Sequence, residues 1–340
     1  MASPGNISSP SPLRVAVAGT GAFGRNHLRV YSELADQGVI LAAAIEPVSS
    51  RAAEIAEKYR IPVFDSVDAA LRADLCLDAA SVAVPTVFHH AVASQLLAAG
   101  VDCLVEKPIA ASLSEADDLI ALADRHARIL QPGHLERFNP AVVAMEAQRK
   151  RPMFFEAHRL SIFTPRALDV VLTFAASPVR EVRAVGLPIL SPKVDIANVR
   201  VEFDSGCVAN FTASRVSTER VRKLRYFEPR QYVSIDYARR DALVIRVDQS
   251  FDLASAMAAG AAGGFQEGLP GLEFTKPAII PGEPLRLELE CFLSAVRSRV
   301  QPRVTARQGR AALALALEIQ QQMEIHAERA GLATFFNPSS

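Results

Sequence analysis

The stretch that most constrains the fold of this chain is Gly19–Gly24, GTGAFG, because of the segments on either side of it. An apolar run at 13–18 precedes it and predicts a buried strand, and the pattern at 25–35 predicts a helix. A second apolar run, 39–45, leads into Glu46, 22 residues after the last glycine. Strand, Gly-x-Gly-x-x-Gly, helix, strand and acid in this order are typical of a dinucleotide-binding βαβ unit.

The three glycines and the acid have separate physical roles in such a unit. Gly19 permits the tight turn out of the strand, Gly21 lets a pyrophosphate approach the backbone, and Gly24 allows close helix–strand packing. The helix N-terminus offers N–H groups and the positive end of its dipole to the phosphates. Glu46 would accept hydrogen bonds from the adenosine ribose and repel a 2′-phosphate, so the sequence favours NAD over NADP. The alternative is a glycine turn that binds no ligand.

The composition argues against several classes of partner. Lysine plus arginine and aspartate plus glutamate each number 37, so the formal net charge is zero and neither nucleic acid nor an anionic membrane is expected. The four cysteines show no C-x-x-C spacing, which argues against a zinc site and for a reducing compartment. No run has the length of a membrane span, and 1–12 lacks the features of a secretory signal. We therefore expect a cytoplasmic protein without a bound metal, with a disordered tail at 1–12.

The length of 340 residues predicts two domains, and their patterns differ. Strand-like and helix-like segments alternate over 13–132, which predicts a doubly wound parallel sheet, the Rossmann arrangement. Residues 133–330 begin with a helical pattern and continue mainly as strand-like segments, which predicts an α+β domain with a large, mostly antiparallel sheet. Within it, 251–284 is predicted as a long loop because it is rich in Gly, Ala and Pro. Residues 331–340 are predicted as a tail.

The predicted antiparallel sheet also bears on assembly. Its strand-like segments alternate between apolar and polar residues, so one face of the sheet needs a cover. A second copy of the chain is the expected cover, and we predict a homo-oligomer, such as a dimer, that associates through this sheet.

A second feature, Glu106-Lys107-Pro108, follows the fifth predicted strand. In an open parallel sheet the ligand crevice lies at the carboxyl ends of the strands, so Lys107 would face the nicotinamide, with Glu106 beside it in the cofactor site. A lysine in that position can serve as a general acid or base. The alternative is a surface lysine at the end of a strand.

The segment after the fourth predicted strand, Val84 to His89, belongs to the same edge. Pro85 and Thr86 would contact the ribose of the cofactor through backbone and side-chain groups. His89 is a further candidate for the cofactor site, although a histidine that caps or packs the next helix fits its position equally well.

Together these motifs resemble the glucose–fructose oxidoreductase / inositol dehydrogenase / rhizopine-catabolism (Gfo/Idh/MocA) family. The resemblance covers about 13–330 and rests on GTGAFGRNH at 19–27, Glu46, VPTVFHH at 84–90, AAGVDCLVEKPIA at 98–110 and GHLERFNP at 133–140. It implies a Rossmann domain followed by a large antiparallel sheet, and hydride transfer between a nicotinamide cofactor and a secondary hydroxyl of a sugar or sugar nucleotide. Within the family, GHLERFNP is most similar to dehydrogenases that oxidise the 3-hydroxyl of UDP-N-acetylglucosamine.

The resemblance also implies roles for particular residues. Lys107 matches the lysine of the family's active site. The pyrophosphate loop is matched by Gly19, Gly21, Ala22, Phe23 and Gly24. Glu46 matches the acid that binds the ribose.

One group that the family implies is missing from this sequence. Members carry an Asp and, one helical turn later, a His that forms the usual acid/base pair with the lysine. Here 164–178 contains Asp169 but no histidine, and none occurs between His158 and His326. The pattern indicates that a stretch including this pair is absent.

The absence leaves open which residues meet the substrate. Asp169 and His158 are candidates to replace the missing group, and Arg159 and Arg166 are candidates for the substrate pocket, because a guanidinium binds two phosphate oxygens at once. Ordinary surface charges are the alternative for the arginines. Since losing a general base typically costs about 10²–10⁴-fold in rate, a weakened or inactive NAD-binding relative is one alternative function. A reductase of a non-sugar small molecule is another.

Overall fold

The computed structural model describes residues 11–159, 165–191, 193–216, 222–252, 269 and 271–332. Of the two predicted tails, 1–10 and 333–340 lie outside these residues. The chain divides into two compact units. One holds the chain up to His134 together with Leu285–Leu313, and the other holds Leu135–Pro284 with the chain from Ala314 onward.

The helices of the described residues follow the apolar periodicity of the sequence. They are α1 Ala22–Glu33, α2 Ser49–Tyr59, α3 Val67–Arg72, α4 His89–Ala98, α5 Leu113–Arg125, α6 Pro140–Glu146, α7 Pro165–Ala175, α8 Pro284–Ser298 and α9 Ala306–Arg329. Short 3-10 helices lie at Ala35–Gln37, Thr86–Phe88 and Leu135–Phe138. Helix α5 begins at a cap, because the Ser112 hydroxyl accepts from the N–H of Glu115 and the Glu115 carboxylate accepts from the N–H of Ala111.

The first unit is built on a six-stranded parallel sheet. Its strands are β1 Leu13–Ala18, β2 Val39–Ile45, β3 Val63–Phe64, β4 Ala79–Val82, β5 Asp102–Glu106 and β6 Leu130–Gly133, in the order β3-β2-β1-β4-β5-β6. Strands β4 and β5 are buried along their whole length, as expected of strands with helices on both faces. The doubly wound parallel sheet predicted from the sequence is confirmed.

The second unit is built on an eight-stranded sheet. Its strands are β7 Phe154–Arg159, β8 Val179–Leu187, β9 Ile196–Phe203, β10 Val208–Ser214, β11 Lys223–Glu228, β12 Gln231–Asp236, β13 Asp241–Val247 and β14 Leu272–Thr275, in the order β14-β13-β12-β11-β7-β10-β9-β8. All neighbours are antiparallel except β7 and β10. The predicted large, mostly antiparallel sheet is confirmed.

The prediction of a continuous loop at 251–284 was wrong in one part. Residues Leu272–Thr275 form β14, which pairs with β13 from Val244 to Val247 at the edge of the sheet. Most of the preceding stretch, 253–268 and 270, lies outside the described residues.

One face of the eight-stranded sheet carries the core of the second unit. Alternate residues of its strands, among them Phe155, Val199 and Tyr226, pack with Leu168 and Phe174 of α7 in a single buried cluster. The intervening residues point to the opposite face, which is half exposed.

No helix in the described part of the chain combines the length and apolar character that crossing a membrane requires.

Candidate functional site

The loops that follow the parallel strands form the candidate site of the first unit. The strand order reverses between β1 and β4, which are neighbours in the sheet although β2 and β3 come between them in sequence. Ligands of open α/β sheets bind outside the carboxyl ends of the strands at such a switch point. The glycine loop, Glu46, the turn at Pro85 and Lys107 all follow directly on strand ends of this sheet.

The glycine loop is shaped by contacts that only glycines allow. Gly19 has a φ of +86°, and a Cβ there would lie 2.7 Å from the carbonyl oxygen of Ala83. A Cβ on Gly24 would lie 1.8 Å from the carbonyl oxygen of Gly19, so α1 could not approach the loop with any side chain at this position. Gly21, the residue before α1, has open space around its Cβ position, and no side chain caps the helix there.

Glu46 is 3% exposed and its carboxylate accepts four hydrogen bonds. One oxygen accepts from the N–H of Thr20 at 3.1 Å and from its hydroxyl at 2.7 Å. The other accepts from the N–H of Val48 at 3.0 Å and from the guanidinium of Arg51 at 2.8 Å. Burial by itself would raise the pKa of Glu46, but these bonds outweigh it and lower the pKa to about 2. The acid is therefore ionised at neutral pH and tied to the glycine loop through Thr20.

The turn after β4 presents Pro85 and Thr86 at its surface, where Pro85 is exposed and Thr86 begins a 3-10 helix. His89 is buried at the start of α4 and faces two carbonyl oxygens. Its Nδ1 lies 2.8 Å from the oxygen of Pro108, and its Nε2 lies 2.9 Å from the oxygen of Val84. Burial lowers the pKa of His89, and the two carbonyl contacts oppose this. His89 thus joins the turn after β4 to the segment that contains Lys107.

Lys107 is half buried directly after β5, and its peptide bond to Pro108 is cis. The N–H of Lys107 donates to Oε2 of the preceding Glu106 at 3.3 Å. The carboxylate of Glu106 turns back into the unit, where its Oε1 lies 3.2 Å from Nε2 of His27. The carboxylate of Glu106 is therefore held by His27 inside the unit, and it also contacts the backbone N–H of Lys107.

The sequence interpretation missed the group of buried polar residues that meets Glu106. Nδ1 of His27 lies 2.9 Å from the hydroxyl of Ser81, and that hydroxyl lies 2.8 Å from the hydroxyl of Tyr31. All three side chains are fully buried in the first unit. Two signals in the sequence could have revealed them: the histidine that ends GTGAFGRNH, and a serine inside the otherwise apolar strand β4.

The candidates in the second unit occupy different places within that unit. Asp169 is buried on α7, with its Oδ1 3.7 Å from the guanidinium of Arg137. Arg137 is itself buried, donates to the hydroxyl of Thr173 at 2.5 Å and lies 3.5 Å from the carboxylate of Glu146. Asp169 is thus part of a buried ion pair with a residue of GHLERFNP.

His158 lies on β7, in the alternation opposite to the buried Phe155 and Ala157, and faces Lys223 across the pairing with β11. The structure therefore places His158 on the half-exposed face of the sheet and Asp169 against the other face, and does not bring them together. Arg159 ends β7 and Arg166 lies in the first turn of α7, and the side chains of both are outside the described part of the structure.

Among the described residues, no group of three or more His, Cys, Asp or Glu side chains has the arrangement of a metal site. The ionisable side chains around the glycine loop and Lys107 are instead engaged in the hydrogen bonds given above.

Comparison with known proteins agrees with this geometry. The family model described as oxidoreductase family, NAD-binding Rossmann fold (GFO_IDH_MocA) matches residues 13–134. UDP-N-acetylglucosamine 3-dehydrogenase of Acidithiobacillus ferrooxidans is 33% identical over 332 residues, which cover 93% of this chain and 99% of that enzyme. Inositol 2-dehydrogenase of Leifsonia xyli subsp. xyli is 35% identical over 134 residues, 39% of each chain.

Solved structures with a similar fold match nearly the whole chain. The structure of the Acidithiobacillus ferrooxidans enzyme, GnnA, superposes with a TM-score of 0.80 at 30% identity and covers 92% of this chain and 98% of its own. Levoglucosan dehydrogenase in complex with NADH and levoglucosan shares the fold, with a TM-score of 0.77 at 15% identity over 93% of this chain and 98% of its own. The chain therefore belongs to the Gfo/Idh/MocA family of oxidoreductases, whose members carry an NAD-binding Rossmann fold.

Proposed function

We propose that this protein oxidises a secondary hydroxyl of a sugar nucleotide with NAD, and that the hydroxyl is the 3-hydroxyl of UDP-N-acetylglucosamine. The observation that carries the proposal is the similarity to UDP-N-acetylglucosamine 3-dehydrogenase, which extends over 99% of that enzyme and is not confined to the cofactor domain. A relative that shared only the cofactor domain would support the cofactor but say little about the substrate.

The residues of the glycine loop fit a dinucleotide. The open space at Gly21 and the uncapped N-terminus of α1 suit a pyrophosphate, which needs close approach to backbone N–H groups. The ionised Glu46 at the end of β2 suits the ribose hydroxyls. When bound, NAD supplies the hydride acceptor for the reaction.

We propose NAD in preference to NADP because of the charge of Glu46. A 2′-phosphate would approach a carboxylate that stays ionised down to about pH 2. Arg51 is the opposing consideration, since its half-exposed guanidinium lies 2.8 Å from that carboxylate and could contact a phosphate. Because the guanidinium of Arg51 is already paired with Glu46, we expect it to attract a 2′-phosphate only weakly.

Lys107 is the proposed catalytic residue. Its position after β5 puts it on the edge where the ligand crevice of such a sheet lies. There its amine would hold the reacting hydroxyl and take up the proton that leaves as the carbon gives up its hydride. Pro85, Thr86 and the backbone that His89 ties down would line the same crevice.

The substrate contacts and the assembly are further parts of the proposal. Arg159 and Arg166 remain our candidates for the diphosphate because of their guanidinium groups. For assembly, the half-exposed face of the eight-stranded sheet carries the neighbouring rings of Phe154, Phe227 and Tyr232, with centroids 5.6 and 5.2 Å apart. A second copy covering this face would bury them, so we propose a homo-oligomer through the sheet.

A second function is favoured by one specific observation. The sequence has no histidine between His158 and His326, where the resemblance implies one, and Asp169, a candidate to replace it, is buried and paired with Arg137. A carboxylate held in this way is poorly placed to exchange protons with a substrate. The second proposal is therefore an NAD-binding relative with weak or no turnover.

One experiment separates the two. Dialysed protein is mixed with NAD and UDP-N-acetylglucosamine, and NADH formation is followed by fluorescence, with a panel of other sugar nucleotides and polyols as controls. Calorimetry with NAD and NADP measures cofactor affinity in parallel. Turnover with UDP-N-acetylglucosamine supports the dehydrogenase. NAD affinity without turnover on any member of the panel supports the second function, and preference for NADP contradicts the assignment of Glu46.

A further inference from the structure

We infer that His27, Ser81 and Tyr31 hold Glu106 in a fixed position, and that Glu106 in turn positions Lys107. We call these four residues the Glu106 brace. The inference rests on the proposed function, because it assigns the brace a role through Lys107, but its geometry is independent of the substrate.

With Glu106 ionised and the ring of His27 neutral, the hydrogen bonds of the brace have one consistent direction. An ionised carboxylate only accepts, so Nε2 of His27 donates to Glu106 across 3.2 Å. In a neutral ring Nδ1 is then an acceptor, and the hydroxyl of Ser81 donates to it across 2.9 Å. The oxygen of Ser81 accepts from the hydroxyl of Tyr31 across 2.8 Å. Each donor points toward Glu106, and burial keeps water from competing with them.

The carboxylate is also confined on the side of β6. A Cβ on Gly133 would lie 3.1 Å from the Cα, Cδ and Oε1 of Glu106, so a larger residue at this position would press on Glu106. Three of the sequence motifs therefore meet at one group: GTGAFGRNH supplies His27, the Glu-Lys-Pro segment supplies Glu106, and GHLERFNP supplies Gly133.

Titratable side chains from different elements of the described residues interact with this carboxylate or lie next to it in the chain. His27 belongs to α1, His89 at the start of α4 interacts with Glu106 electrostatically, and Lys107 follows in the chain. The second carboxylate oxygen accepts from the N–H of Lys107 at 3.3 Å, so a shift of Glu106 would move the backbone that carries the catalytic amine. Fixing Glu106 thus fixes the backbone of Lys107 and the place of the carboxylate that precedes it in the chain.

The first test reads Lys107 directly and needs no substrate. The full-length protein is treated with a limiting amount of an amine-acylating reagent over a series of pH values, and mass spectrometry gives the extent of labelling at Lys107, with the exposed Lys58 and Lys150 as internal references. Glu106→Gln keeps the size of the side chain but removes its charge. We expect it to lower the pH of half-maximal labelling at Lys107 by about one unit, and His27→Gln to give a smaller change in the same direction.

Asp102→Asn is the matched control. Asp102 lies on the same strand, β5, and is equally buried, but it accepts from the N–H of Ile129 at 2.7 Å and pairs with Arg299, away from Lys107. We expect this variant to melt at a lower temperature with an unchanged labelling midpoint at Lys107. If His27→Gln does not fold, Ser81→Ala interrupts the same chain of hydrogen bonds with a smaller change in volume.

The outcomes separate the brace from the proposed function. Unchanged midpoints in Glu106→Gln and His27→Gln overturn the inference, as does an equal shift in Asp102→Asn. A shift in Glu106→Gln alone overturns the role of His27. In turnover assays we expect Glu106→Gln to lower kcat about tenfold with KM changed less than about twofold, because the misplacement of the amine outweighs the larger neutral fraction that a lower labelling midpoint implies. A wild-type protein that makes no NADH contradicts the proposed function, yet its labelling still tests the brace.

Discussion

At the scale of single residues, two buried carboxylates show how the surroundings decide what an acid can do. Glu46 accepts from two backbone N–H groups, a hydroxyl and a guanidinium, and one side of it faces the glycine loop. Asp169 is as deeply buried, but its charge is matched by Arg137 inside the core of the second unit. The first arrangement stabilises a charge at the edge of a sheet, and the second joins α7 to the segment before α6.

The Glu46 carboxylate makes a stability prediction that depends on pH. Its pKa falls from an ordinary 4.5 to about 2 on folding, so its ionised form favours the folded state. The contribution is fully present above about pH 5 and is lost as the pH falls toward 2. The free energies of unfolding of the wild type and Glu46→Gln, obtained from thermal unfolding, should differ by about 1–3 kcal/mol at neutral pH. This difference should disappear in acid. A difference in the free energy of unfolding that stays the same at every pH would contradict the hydrogen bonds assigned to Glu46.

The Asp169–Arg137 pair makes a second prediction. Asp169→Asn leaves a buried guanidinium with less compensation and should lower the free energy of unfolding by about 3 kcal/mol. In the double variant with Arg137→Met the loss should be smaller than the sum of the two single losses, measured by chemical denaturation. An Asp169→Asn protein of normal stability that has lost turnover would instead favour a catalytic role for Asp169.

At the scale of elements, the junction between β1 and α1 carries the cofactor assignment. The sequence pattern was sufficient to predict this junction, because its strand, turn and helix are determined by neighbours in the chain. It was not sufficient for β14, whose strand conformation depends on pairing with β13. It also missed the contact of His27 with Glu106, 79 residues away, because a histidine or a serine in an apolar stretch marks a buried polar group but does not identify its partner.

Two glycines of this junction, Gly21 and Gly24, give a matched pair of variants. Gly24→Ala would place a Cβ 1.8 Å from the oxygen of Gly19 and should destabilise the first unit. Gly21→Ala meets no atom within 4 Å and should leave the melting temperature nearly unchanged. Because its methyl group would occupy the open space proposed for the pyrophosphate, we expect NAD affinity measured by calorimetry to fall about tenfold or more. Normal NAD affinity in a folded Gly21→Ala protein would contradict the proposed site.

At the scale of the whole molecule, the chain returns to its first unit after completing most of the second. The sequence predicted a contiguous first domain at 13–132, whereas the compact unit also includes Leu285–Leu313. Within it, Arg299 pairs with the buried Asp102 and donates to the oxygen of Ala127 at 2.6 Å, and Arg297 donates to the oxygens of Gln37 and Gly38. Composition and local pattern could not reveal this return, because it depends on contacts nearly 200 residues apart.

Because 285–313 belongs to the first unit, a fragment that lacks this segment should be unstable. Residues 11–134 alone would leave Asp102 without Arg299 and expose the surface that α8 covers. We expect this fragment to unfold without a cooperative transition by circular dichroism, and expect cooperativity to be regained when 285–313 is fused to it. A fragment 11–134 that melts cooperatively and binds NAD as the full chain does would contradict the assignment of the unit.

The proposed reaction is tested by following a single hydrogen atom from the substrate to the cofactor. The protein is incubated with NAD and UDP-N-acetylglucosamine carrying deuterium at C3, and the reduced cofactor is analysed by mass spectrometry, with Lys107→Ala as the matched control. We expect singly deuterated NADH from the wild-type protein, and none from Lys107→Ala, although that variant should still bind NAD. Absence of NADH from the wild-type protein, or NADH without deuterium, would contradict the proposed reaction.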